Sequence, residues 1–305
     1  MKASKAISRT APRTADRKTT ADSSSRTVDL IRLSGPSRPL DPRVNAFRDD
    51  LADIALAGAV LAPHYARALP RACGAQATPV RARPQAEGEA VSELLPGEGF
   101  EVLEYAGGWA WGYCAADRVV GYVEAIALAA PIVATHIVCE KSAPVAPDSN
   151  IASPLIASLP MGARLHGTEC GACLTTEYGC VSLSHLRPIG EHEGDPVSAA
   201  ERLLGAPFRA GGRSAAGIDG PGLVQLALAL AGIEAPRFAD AQRELGEIVP
   251  PGAPRARGDL VLQDDGAGLM IDDLMAIHVG RTAGRVAVAP AAELEAHGAV
   301  FRRIG

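Results

Sequence analysis

Cys170-Gly171-Ala172-Cys173, with Cys180 beyond it and His166 and His185 to either side, is the densest cluster of chemically versatile side chains in the sequence. Three thiolates and an imidazole can hold zinc tetrahedrally. Structural zinc sites, however, usually pair two ligand knuckles, and only one is present. The cluster therefore reads as small strand thiols, with no metal or other cofactor expected and Cys170, Cys173 and Cys180 as the alternative metal ligands. A redox Cys-x-x-Cys would need a βαβ setting that the flanking pattern lacks. The remaining cysteines are Cys73, Cys114 and Cys139, so no thiol follows Cys180. Cysteine chemistry in the last 125 residues would need a thiol from elsewhere in the chain, such as Cys73 or Cys180. Ser214 and His278 supply a hydroxyl and an imidazole there, but Ser214 sits in a Gly-rich loop, where a turn hydrogen bond is its expected role.

Five stretches can position such groups. Residues 1–40 carry nine Lys or Arg against three Asp and no apolar run, a composition that does not offset ordering entropy, and read as a disordered basic tail. Residues 41–72 form an N-terminal helical segment in which Val44, Phe47, Leu51, Ile54, Leu56 and Val60 recur at helical spacing. Over 76–130, short alternating runs separated by Pro96-Gly97-Glu98-Gly99 and Gly107-Gly108 predict about five strands in a small barrel. A second barrel is expected over 132–189, where Leu159-Pro160-Met161-Gly162 stands in the place of Leu95-Pro96-Gly97-Glu98. After the polar connector 188–196, residues 196–305 read as two helices, near 197–204 and 221–231, followed by four short strands, an α+β pattern.

The strand carrying Arg81 and Arg83, Leu95-Pro96-Gly97-Glu98, Gly108-Trp109-Ala110-Trp111 and Gly121-Tyr122-Val123 together resemble a bacterial SH3-like domain. The stretch from Glu201 through Pro207-Phe208-Arg209-Ala210-Gly211-Gly212-Arg213-Ser214 to Gly217-Ile218-Asp219-Gly220-Pro221-Gly222-Leu223-Val224-Gln225, continued by Arg257-Gly258-Asp259-Leu260-Val261, resembles the NlpC-type cell-wall cysteine peptidases. That resemblance implies a multi-domain chain: two small all-β SH3-like barrels ahead of a papain-like α+β domain. It also implies cleavage of γ-D-glutamyl to diamino-acid bonds of murein peptides. In the family a helix-starting cysteine is the nucleophile, followed by a serine; here these positions are Gly220 and Pro221. The general-base position is Gly266, and the third polar position is His278. The family's tyrosine and tryptophan before the Gly-Gly pair are Phe208 and Ala210.

Attack on an amide by this route needs a thiolate and a proton shuttle, and losing the nucleophile of a comparable constellation costs about a millionfold in turnover. The expectation is therefore a catalytically inactive homologue, a pseudoenzyme that binds murein peptides or a protein partner. Asp219, Phe208, Arg213, Trp109 and His278 are its candidate ligand-binding residues. The alternative is an active hydrolase of the same bonds. Restoring Gly220→Cys and Gly266→His is expected to recover only part of the activity.

With 47% hydrophobic residues the chain should fold, and its net charge of −5 argues against a nucleic-acid binder. The apolar window 54–62 is too short for a membrane span, and no apolar leader follows the basic start. A cytoplasmic protein with reduced thiols is expected.

Overall fold

The computed structural model describes residues 40–150 and 153–304, so the expected basic tail lies outside the described residues except for Leu40. Segment 41–72 departs from expectation. Instead of a helix it forms β1 (Leu51–Asp53) and β2 (His64–Ala66), a parallel pair, with a 3-10 turn at Ile54–Leu56. Packing explains the difference. Ala46 is buried against Trp111 and Tyr113, and the Arg48 guanidinium lies 4.4 Å over the Trp111 ring, so the segment is held as a strap across a sheet. Such tertiary contacts override a weak local helical preference.

The strap ends in β3 (Leu69–Cys73), which already belongs to the first sheet, so that unit starts before residue 76. The sheet continues with β4 (Thr78–Arg81), β5 (Ala90–Leu94), β6 (Gly99–Ala106), β7 (Trp109–Cys114), β8 (Val120–Glu124) and β9 (Leu128–Ala129), in the order β5-β4-β8-β7-β6-β3-β9. Gly107 and Gly108, at φ +58° and +84°, make the tight β6–β7 turn, a conformation other residues rarely adopt. The edge strands β5 and β9 do not pair with each other, so the sheet remains open and the expected barrel closure is not found. Strand β5 turns instead to the C-terminal domain, where Glu93 accepts the Arg213 N–H at 2.8 Å.

Residues 132–189 hold β10 (His136–Val138), β11 (Ser142–Ala146), β12 (Ala157–Pro160), β13 (Arg164–Leu165), β14 (Gly167–Cys170), β15 (Cys173–Thr176), β16 (Gly179–Ser182) and β17 (Leu186–Pro188). They form two sheets, β13-β10-β17 and β12-β11-β16-β15-β14, around Val138, Val145, Leu159 and Leu174. A second closed barrel is not found here either, because the chain leaves the first of these sheets after β10 and enters the other at β11. Cys173 and Cys180 are joined in a disulfide, while Cys170 is free and exposed. With two of the three sulfurs bonded to each other, the alternative zinc set is not formed. The disulfide also departs from the expected reduced thiols, since such bonds belong mainly to oxidising compartments.

The C-terminal part contains α1 (Pro196–Arg202), β18 (Arg213–Ser214), β19 (Gly217–Ile218), α2 (Gly220–Leu230), α3 (Ala239–Gln242), β20 (Glu247–Ile248), β21 (Leu260–Leu262), β22 (Gly266–Met270), β23 (Met275–Gly280), β24 (Ala287–Pro290), α4 (Ala291–Ala296) and β25 (Val300–Arg303). The six-stranded sheet has the order β20-β25-β21-β22-β23-β24. Asp195 and Asp219 cap α1 and α2, each followed by proline in the first turn, where the missing N–H costs nothing. Gly232 at φ +80° ends α2, and the Ile233 N–H returns to the Leu228 carbonyl.

Helix α2 is buried along nearly its whole length. Its core contains Leu95 of the first β unit and Met161 of the second, each contributed by one of the two Leu-Pro turns. All three units thus share one apolar core, and residues 40–305 cluster as one compact unit. No helix among the described residues is long and apolar enough to cross a membrane.

Candidate functional site

The N-terminus of α2 presses on β22. A Cβ built on Gly220 would lie 2.1 Å from the Ala267 backbone nitrogen and 2.7 Å from the Gly266 carbonyl carbon. Carbon atoms in good contact stand about 3.5–4.0 Å apart, so no side chain fits at position 220 while the backbone stays in place. Gly266 is similarly closed, its Cβ falling 2.6 Å from the Val279 carbonyl oxygen. The structure brings positions 220 and 266 together, and both spaces are filled by main chain.

Alternate residues of β22 and β23 face opposite sides of the sheet. Ala267, Leu269, Ile277 and Val279 join the core with α2, whereas Met270 and Ala276 join the core with Ala291 and Leu294 of α4. Gly266, Gly268 and His278 alternate with the first set, and Gly268 is paired directly with His278. His278 is buried, and its Nδ1 has no hydrogen-bond partner among the described residues. Burial lowers its pKa below the usual imidazole value, against the opposing pull of the Asp265 and Glu293 carboxylates.

The sign of the resulting pH dependence is fixed. Below about pH 6.5 the unfolded chain protonates this histidine more readily than the native one, so the contribution of neutral His278 is fully present above that pH. It is lost as pH falls through the native-state value. Urea unfolding at pH 5.5 and 7.5, values chosen on either side of the reference of about 6.5, should show less pH sensitivity in His278→Asn than in the parent. Equal slopes would refute the assignment.

The other predicted residues have mostly structural partners. Asp219 accepts the Gly222 N–H at 2.8 Å on Oδ1, and on Oδ2 accepts the Gly211 N–H at 2.8 Å and Arg237 Nη2 at 2.7 Å. Both oxygens are therefore used in shaping the loop and the helix start. Arg213 is buried; it donates from Nη1 to Glu98 Oε2 at 2.8 Å and to the Glu93 carbonyl at 2.9 Å, and from Nη2 to Glu98 Oε1 at 3.1 Å. It clamps the C-terminal domain to the first β unit, so its terminal nitrogens are not free for a ligand. Phe208 is half-buried, with the Arg281 guanidinium 5.6 Å from its ring centroid. Trp109 starts β7 opposite Ala106 and Glu124, whereas the bonds from the first β unit to the C-terminal domain come from Ser92, Glu93, Glu98 and Asp117. Ser214 is buried in the β18–β19 pair.

Two buried free thiols, Cys73 and Cys114, lie in the core of the first β unit. Cys73 donates to the Gln76 and Leu94 carbonyls inside the first core, and burial pushes its pKa up to about 12. Cys114 lies in the same core, with its pKa raised well above the usual thiol value by burial. Such thiols are poor nucleophiles. The sequence reading missed Glu93 and Glu98 as partners of the C-terminal domain. The signal available was Glu98 itself, a carboxylate set in the Leu-Pro-Gly-Glu turn.

Residues 205–297 match the NlpC/P60 family, and residues 80–128 match the bacterial dipeptidyl-peptidase Sh3 domain. The C-terminal part is an NlpC/P60 domain. The peptidoglycan endopeptidase RipB of Mycobacterium tuberculosis is 33% identical over 111 residues, which are 34% of this chain and 46% of RipB. The match thus spans about half the length of that relative. An NlpC/P60 family protein from Bacillus cereus superposes with a TM-score of 0.64 at 16% identity, over 77% of this chain and 99% of that one. An NlpC/P60 endopeptidase from Photobacterium damselae subsp. piscicida gives 0.51 at 12% identity, over 76% of this chain and 70% of that one. At these identities the two structures share the fold. The NlpC/P60 domain and the β units ahead of it are therefore a known arrangement, into which Gly220 and Gly266 are set.

Proposed function

We propose that this chain is a catalytically inactive NlpC/P60 homologue that holds murein-type peptides or a protein partner without cleaving them. The observation that carries the reading is the 2.1 Å approach of a Gly220 Cβ to Ala267 N, which leaves no volume for a nucleophilic side chain at the helix start. The unpartnered Nδ1 of His278 supports it, since an orienting residue whose base has become glycine would be left in that state. The Asp219 cap and the buried α2 support an intact scaffold around this position.

Incubating the purified protein with a γ-D-glutamyl-diamino-acid peptide should yield no product above the uncatalysed rate. Calorimetric titration with a muropeptide panel should detect binding to the same preparation. Turnover at an ordinary enzyme rate that a substitution in residues 205–297 abolishes would reverse the conclusion in favour of an active murein-peptide hydrolase. If no muropeptide binds, a protein partner is the remaining ligand.

A further inference from the structure

Behind α2, at the end away from Gly220, the three units enclose a cleft of about 750 Å³. Asp117 comes from the first β unit, Arg164 from the second, and Gln225 and Glu234 from the NlpC/P60 domain. Gln225 is buried, and its Nε2 donates to Asp117 Oδ2 at 2.9 Å and to the Ala235 carbonyl at 3.2 Å. Those two acceptors fix the orientation of the amide, because a flipped group would set oxygen against oxygen. Gln225 Oε1 is therefore a buried acceptor, and it has no partner among the described residues. Among the described residues, neither the Arg164 side chain nor that of Glu234 has a hydrogen bond or ion pair. One wall thus carries the Arg164 guanidinium and the others the Asp117 and Glu234 carboxylates, with the Gln225 amide holding Asp117 in place from behind the lining.

We propose that this cleft binds a small zwitterion of amino-acid or dipeptide size, with its carboxylate on Arg164 and its ammonium between Asp117 and Glu234. A zwitterion matches the charges of the walls: an anion for the guanidinium and a multiple donor for the two carboxylates. The cleft is also large enough for such a ligand. The site is separate from the α2 N-terminus, so it does not rest on the fate of the peptidase centre. A ligand here would touch all three units and tie them together.

The test uses the whole protein titrated with L-alanyl-L-alanine, its N-acetyl form and its C-terminal amide, followed by calorimetry and chemical-shift perturbation. Saturable binding of the free dipeptide is expected, with each blocked form weaker by about tenfold or more, the usual range for losing a charge-assisted contact. Arg164→Gln should lose the discrimination against the amide, and Glu234→Gln should reduce that against the acetylated form. Both positions are outside the buried core, so the folded state should persist. Phe208→Ala, near the α2 N-terminus, should leave binding unchanged. The proposal is overturned by no saturable binding at about 10 mM dipeptide, by equal affinity for the blocked forms, or by binding that follows Phe208 and ignores Arg164.

Discussion

The double substitution Gly220→Cys with Gly266→His yields no peptidase activity and lowers the stability of the protein by at least about 3 kcal/mol. The sequence by itself suggests partial recovery, because both family groups would return to the family's positions. The structure removes that expectation. A Cβ at 220 meets the Ala267 nitrogen at 2.1 Å, and one at 266 meets the Val279 oxygen at 2.6 Å and the Gly280 Cα at 2.8 Å. All of these are backbone atoms, which cannot swing aside as a long side chain would. To admit the new groups, α2 and β22 must separate, and α2 is held by a core that extends into both β units. Overpacking of this kind typically costs about 1–3 kcal/mol per site and more where the main chain must move. The thiolate and imidazole would then stand in a displaced geometry, and about 1 Å of misplacement can cost a hundredfold in rate. Denaturant unfolding and a peptide-cleavage assay decide the matter. Cleavage that appears together with an unchanged unfolding midpoint would show that the cleft is open in solution.

Arg213→Ala should be among the most damaging single substitutions in the chain, at about 3–5 kcal/mol. Arg213 and Glu98 are both buried, at 6% and 7% exposure, and meet through two hydrogen bonds. Removing the guanidinium strands a carboxylate whose remaining partner is the Leu95 N–H at 2.8 Å. Because the pair joins the first β unit to the NlpC/P60 domain, the loss should also split one melting transition into two. The apolar pair Arg213→Met with Glu98→Leu should recover most of the stability, since replacing both charges avoids the stranded ion. A calorimetric scan of the three proteins tests this. A loss below about 1 kcal/mol, typical of exposed ion pairs, would mean that the clamp is solvated.

The two kinds of residue differ in how much the sequence disclosed. Helices α1 and α2 of the NlpC/P60 domain and its central strands β21 to β23 were readable, because Asp caps, prolines in the first turn and Gly232 act within a few residues of one another. Segment 41–72 misled because its apolar spacing suits a helix, whereas Ala46 and Arg48 answer to Trp111, which lies far along the chain. Barrel closure was not readable either. Whether edge strands meet depends on where β5 is drawn, and Glu93 ties it to the C-terminal domain.

At the candidate site the sequence alone determined that positions 220 and 266 are both glycine, since residue identity needs no coordinates. It also determined the local cap that places Gly220 at a helix start, whereas Gly266, in a stretch that reads as a loop, is the first residue of β22. Only the tertiary structure decided that the space beside Gly220 and Gly266 is occupied by main chain, that Arg213 faces Glu98 and not a ligand, and that Gln225 Oε1 has no partner among the described residues. The physical reason is range. Capping and turn preferences are short-range interactions written in neighbouring residues, whereas exclusion of volume and partnering of buried charge depend on atoms that folding brings together from three separate units.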